Sequence, residues 1–154
     1  MTAKLTRRLA VMAISLITGL LSLGALASDD AAAGPSLYER LGAWDGITAI
    51  VTDTVALHHK NAELSHYFAD TDDAKLIGHV TAFFAAGTGG PAKYEGRDMT
   101  SAHASMNMSD ADFDSAVRDV MTALGANDID DAAKAEVKAI LESLRPAVMG
   151  TAAN

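Results

Sequence analysis

The sequence predicts an all-α domain, and three observations carry that prediction. Apolar residues recur at helical spacing in four stretches, and no segment shows the period-two alternation of a half-buried strand. Ser, Asp and Gly residues stand at the ends of those stretches, where helix starts and stops belong.

At the N-terminus, Lys4, Arg7 and Arg8 precede an apolar run over residues 9–23, and Ala25-Leu26-Ala27 has the small-x-small form of a cleavage site. Residues 1–27 therefore read as a signal peptide. A membrane anchor is the weaker reading, because Ser15, Thr18, Gly19 and Ser22 interrupt a run already short of about 20 strongly apolar residues. Arg7-Arg8 leaves both the general secretory and the twin-arginine route open. Cleavage after Ala27 leaves 127 residues with nine Lys and Arg against twenty Asp and Glu, which moves the formal charge from -8 to -11. So acidic a chain is unsuited to nucleic acid, whose phosphates need a basic face. A monomer in the periplasm or outside the cell, with no membrane attachment after cleavage, is expected. The chain has no cysteine, which excludes disulfides, thiol catalysis, iron-sulfur clusters and cofactor attachment through Cys-x-x-Cys-His.

Residues 28–35 are small and acidic and read as a flexible leader, with the folded domain over 36–149. Ser36-Leu37-Tyr38-Glu39 has the form of a capping box. After a break at 42–46, Ile47, Ile50, Val51, Thr54, Val55 and His58 share one face of a helix over 47–60. A tight corner at 61–68 follows, and Asp72 or Asp73 caps a second helix to about residue 86, with Leu76, Val80, Phe83 and Phe84 inward. Gly87, Gly89, Gly90 and Pro91 force the chain to turn, and a short helical turn at 99–105 carries His103. Ser109-Asp110-Ala111-Asp112 repeats the capping-box form ahead of Phe113, Ala116, Val117, Val120, Met121 and Leu124. Gly125 is expected to close that helix and Asp128 to start the last one, whose stripe is Val137, Ile140, Leu141, Leu144 and Val148.

Ordinary hydrolytic and phosphate motifs are missing: there is no Gly-x-Ser-x-Gly, His-Glu-x-x-His or Gly-x-x-x-x-Gly-Lys. Asp128-Ile129-Asp130-Asp131 lacks the glycine and terminal glutamate of a calcium loop and reads as charge at a helix start. The sharpest chemical candidate is His103. An imidazole on a short turn after a Gly-rich loop suits an axial position on haem iron, and an ordinary surface or core histidine is the alternative.

Ser36-Leu37-Tyr38-Glu39-Arg40-Leu41-Gly42, Tyr67-Phe68, Phe83-Phe84, Gly89-Gly90-Pro91, Tyr94-Glu95-Gly96-Arg97-Asp98-Met99 and His103 together resemble the pattern of the group I truncated haemoglobins, over residues 36–144. The resemblance implies a two-over-two helical sandwich around a non-covalent haem b, with His103 as the proximal iron ligand. Phe68 would stack on the haem at the corner before the distal helix. Leu76, Val80, Phe83, Phe84, Tyr94 and Met99 would be haem contacts, and each apolar one serves equally as core. Lys75, Lys93 and Arg97 are the cations available to the propionates. Many members of the group place a tyrosine where this chain has Val55 and glutamines where it has Leu76 and Val80, so the implied distal pocket offers no donor at those sites. His79 is the candidate sixth ligand, or else lies along the haem edge. His58, His59 and His66 are expected at exposed or edge positions.

The function so implied is binding of oxygen, carbon monoxide or nitric oxide. The alternative is a bis-histidine electron-transfer or redox-sensing protein using His79 and His103, with an unidentified redox partner. A haem-free interaction module is a third class. Nitric oxide dioxygenase chemistry is disfavoured, because an apolar distal side holds oxygen poorly and no reductase is encoded in the chain.

Overall fold

The computed structural model describes residues 34–150. The expected signal peptide, 1–27, and most of the leader, 28–35, lie outside the described residues. Six helices follow in order: α1 Leu37–Arg40, α2 Ala43–Lys60, α3 Asp73–Gly87, α4 Met99–His103, α5 Asp110–Ala126 and α6 Asp131–Val148. A 3₁₀ turn, Ser65–Phe68, makes the corner between α2 and α3. Among the described residues there is no strand, and no helix is long and apolar enough to cross a membrane.

The starts of these helices follow from their caps. The Ser36 hydroxyl accepts the Glu39 N–H at 3.3 Å while the Glu39 carboxylate accepts the Ser36 N–H at 2.8 Å. Ser109 and Asp112 repeat this at α5, at 3.2 and 2.9 Å. Asp72, Asp98 and Asp130 accept first-turn N–H groups of α3, α4 and α6. Each cap satisfies a donor that the helix itself leaves without a partner.

Two expected boundaries are corrected. The break at 42–46 shrinks to Gly42, at φ +83°, and α2 already begins at Ala43. Gly46 continues the helix, because its bare Cα lies against the Leu41 carbonyl, where a Cβ would collide. At the other end, Gly125 does not stop α5, which runs to Ala126 with Asn127 as its C-cap. Asp128 is the left-handed hinge residue at φ +56°, and Asp130, two positions on, caps α6.

Helix α2 packs against both α3 and α5, α5 packs on α6, and α6 reaches α4 and α1. The pairs α2/α3 and α5/α6 are thus the two layers. The core includes Ile47, Ile50 and Val51 of α2, Val120, Ala123 and Leu124 of α5, and Ala133 and Val137 of α6. Full burial of one such aliphatic side chain contributes roughly 1.5–3 kcal/mol. Helix α3 differs: Thr81 and Ala85 are buried, whereas Leu76, Val80, Phe83 and Phe84 are half-buried and line a cavity. The stripe of α6 divides in the same way, with Val137 in the core and Leu141, Leu144 and Val148 on the cavity.

Candidate functional site

The cavity measures about 580 Å³, within the usual size range of cofactor sites, and its walls come from both layers. Val55 and His58 contribute from α2, and Phe68 from the corner. Leu76, His79, Val80, Phe83 and Phe84 come from α3, Tyr94 and Arg97 from the Gly-rich loop, and Met99 and His103 from α4. Of the residues expected at the site, Lys75 stands off this lining. It is exposed, and its ammonium pairs with Asp72 at 2.9 Å. Lys93 is likewise exposed and off the wall, which leaves Arg97 as the lining cation.

The segment carrying His103 is fixed from both sides. Tyr94 packs edge-on against Phe83, with ring centroids 5.2 Å apart, and its hydroxyl donates to the Arg97 carbonyl at 2.8 Å. Asp98 then caps α4, accepting both the N–H and the hydroxyl of Ser101 at 2.8 Å. Those bonds from Ser101 hold the Asp98 carboxyl below the usual carboxylate range. His103 Nδ1 lies 2.8 Å from the Met99 carbonyl oxygen. A carbonyl only accepts, so Nδ1 carries the proton, and Nε2 of the neutral ring is left as a bare lone pair. This is how a metal-binding imidazole is braced.

Three positions across the cavity are hydrocarbon. Val55 is buried and Leu76 and Val80 are half-buried, and none of the three can donate a hydrogen bond. Thr54 is also on the lining, but its hydroxyl donates back to the Ile50 carbonyl at 2.8 Å. His79 lies on the α3 side of the cavity and is exposed.

His58 corrects an expectation. Placed by its polarity at an exposed or edge position, it is only 9% exposed and belongs to the cavity wall. Its ring stacks on Phe68 at 5.1 Å and 25°, and its Nδ1 meets Asp119 of α5 at 2.9 Å. Asn61 donates to Asp119 at 3.0 Å and to Ser115 at 2.9 Å. Burial pushes the His58 imidazole below its ordinary value, with Asp119 opposing. The signal was the helical spacing itself, since His58 follows Val55 by three positions on the inward stripe. His59 and His66 are exposed as expected, the former paired with Asp73 at 2.9 Å.

A large, mostly apolar cavity between two helical layers, with His103 braced on its wall, is the kind of site that encloses a flat apolar cofactor. The model of the bacterial-like globin family matches residues 36–150, and the chain belongs to that family. A group 1 truncated haemoglobin from Tetrahymena pyriformis is 28% identical over 115 residues, covering 75% of this chain and 95% of that protein. One from Synechocystis is 30% identical over 109 residues, covering 68% and 88%. The crystal structure of the T. pyriformis truncated haemoglobin in its Fe(III) form matches with a TM-score of 0.72 at 27% identity, covering 75% of this chain and 98% of that one. The expected all-α, two-over-two globin architecture holds. The family is one of haem proteins that bind diatomic gases, and the bare Nε2 of His103 in an apolar cavity fits that cofactor.

Proposed function

We propose that this chain is an exported globin that binds oxygen, carbon monoxide or nitric oxide at the iron of a non-covalent haem b, with His103 as proximal ligand. One observation carries the reading: the Nδ1–H bond to the Met99 carbonyl orients His103 and keeps Nε2 available for a metal. Haem supplies the redox-active iron, and the chain's residues position and shield it. Phe68, Phe83, Phe84 and Met99 present apolar surface that would exclude water, and Arg97, the cation on the wall, would meet a propionate. The lack of cysteine supports a cofactor held without a thioether bond. Export to the periplasm or beyond, as a monomer, is supported by the basic and apolar pattern of residues 1–27 and the acidic remainder.

Val55, Leu76 and Val80 set the ligand preference. Bound oxygen carries partial negative charge, and a donor to it contributes about 1.5–3 kcal/mol. Without one at these positions, oxygen leaves roughly ten- to a hundredfold faster. Carbon monoxide, less polar when bound, is affected less.

His79 on the same cavity favours a second reading, in which it closes the sixth coordination position and the protein transfers electrons to a redox partner. Spectra of the haem-loaded chain separate the two. A five-coordinate ferrous form that takes carbon monoxide promptly is expected, and His103→Ala should abolish its proximal-histidine signature. A six-coordinate low-spin ferrous form that His79→Ala converts to five-coordinate would move the reading to electron transfer. A chain that refuses added haemin would end both.

A further inference from the structure

His58 is a polar group on the cavity wall that gas binding does not require, and its surroundings are built around it. We propose that His58 is the base of the cavity, taking the proton from a weakly acidic ligand H–X, of the class of hydrogen cyanide, hydrogen sulfide or hydrazoic acid, which then binds as its anion. The proposal rests on the haem-globin reading, since ferric iron is the Lewis acid that receives the anion.

Three observations support it. First, His58 is buried and lines the cavity, three positions beyond Val55 on α2. Second, its tautomer is fixed. The Asp119 carboxylate at 2.9 Å only accepts, so the ring proton sits on Nδ1, and Nε2 is a lone pair without a hydrogen bond among the described residues. Third, Asp119 is itself held by the Asn61 amide at 3.0 Å, and Asn61 is tied to Ser115 at 2.9 Å. A fixed carboxylate on Nδ1 stabilises the imidazolium that forms when Nε2 takes a proton. The neutral hydroxyls on the wall are already committed, Thr54 to the Ile50 carbonyl and Tyr94 to the Arg97 carbonyl.

The step balances. The H–X bond breaks, the proton goes to Nε2, and the bonding pair stays on X, leaving the anion that ferric haem would hold. The groups around His58 are Asp119 and Ser115 from α5, Asn61 at the end of α2, the Phe68 ring from the corner and His59 on α2. Asp119 favours the charged ring, while burial and a charged His59 oppose it. The imidazole is therefore neutral in the resting cavity, and the incoming anion supplies the charge that lets it keep the proton. Oxygen, carbon monoxide and nitric oxide carry no proton and make no use of the step.

The test counts protons. Hydrogen cyanide is undissociated at neutral pH, and it is added to the ferric, haem-loaded chain in weakly buffered solution with a pH indicator. Close to no proton per bound cyanide is expected for the wild type and close to one for His58→Gln. Cyanide affinity should be lower in the variant by roughly ten- to a hundredfold, the range of a lost charge-assisted hydrogen bond. Release of one proton by the haem-loaded wild type would overturn the proposal alone, whereas a chain that takes up no haem would remove the globin reading as well. Nitrogen NMR of His58 in the haem-free wild type needs no variant to fold. A neutral ring with its proton on Nδ1 is expected, and a proton on Nε2 or a charged ring at neutral pH would refute the assignment.

Discussion

His103 and His58 both carry their ring proton on Nδ1, one toward the Met99 carbonyl at 2.8 Å and the other toward Asp119 at 2.9 Å. Their legibility differs because of where those partners sit. Met99 is one helical turn before His103, so a local motif carries both, whereas Asp119 lies 61 positions from His58 and only the fold brings it there. Spacing alone put His58 on the inward stripe, and its polarity argued for the edge. The burial has a titration consequence. Desolvation lowers the His58 pKa and Asp119 only partly opposes it, so the folded chain favours the neutral ring more than the unfolded chain does. Its stability contribution is full above the unfolded value of about 6.5 and is lost as pH falls through the lower folded value. Denaturant midpoints should therefore fall as pH drops below about 6.5, and His58→Gln should flatten that slope in unfolding curves at fixed pH. On the hydrocarbon wall, Val55→Tyr places a phenol donor in the cavity. Stopped-flow measurement should show oxygen release slowed roughly ten- to a hundredfold, and an unchanged rate would place the ligand out of reach of Val55.

Helix caps were the most readable elements, because a cap is a local contract between a side chain and an N–H three residues on. Ser36 with Glu39, Ser109 with Asp112, and Asp72 all do what their types and spacing suggest. Glycines were harder to read. Gly42 breaks the chain by its left-handed backbone, while Gly46 stays helical to let α2 approach the Leu41 carbonyl, and in sequence the two look alike. The residue after Gly42 keeps strain that an alanine adopts at a cost of roughly 1–2 kcal/mol, since Ala43 sits at φ +56°. Ala43→Gly relieves it, less roughly 0.5–1 kcal/mol of added unfolded-chain entropy, so urea unfolding should show a gain of up to about 1 kcal/mol. Helix α4 is the opposite case. Five residues cannot hold a helix alone, and its start depends on Asp98 accepting from Ser101. Asp98→Ala should loosen the turn that presents His103, so haem transfer to an excess of an apoglobin acceptor should run several-fold faster. An unchanged transfer rate would show that the Tyr94–Phe83 contact positions the turn without the cap.

At the scale of the whole molecule, periodicity located the layers but could not separate core from cofactor wall. Burial against a neighbouring helix and burial against a flat apolar ligand select the same residue types. Ala123 and Val137 fill the core, while Leu76, Val80 and Leu144 carry an equally clean helical spacing and face the cavity. That division makes the chain unevenly dependent on its ligand. Helix α2 is packed on both α3 and α5, and α5 on α6, so this part of the fold has protein neighbours on more than one side although it also lines the cavity. Helix α3 makes its helix packing on α2 and α4 makes its own on α6, with the cavity between their facing sides. Haem held by the folded chain and not by the unfolded one would stabilise it by about 4 kcal/mol when free haem is a thousand times the dissociation constant. The cavity wall also draws on α2, α5 and α6, but α3 and α4 each pack chiefly on one other helix and so have less to hold them without a ligand. Removing haem should therefore speed amide exchange throughout α3 and α4 by a larger factor than in α2, α5 or the first half of α6, where Ala133 and Val137 are fully buried. Exchange followed by mass spectrometry on the haem-loaded and haem-free chains reads this directly. An equal acceleration in all six helices would mean that the α2–α5–α6 core cannot stand without the cofactor.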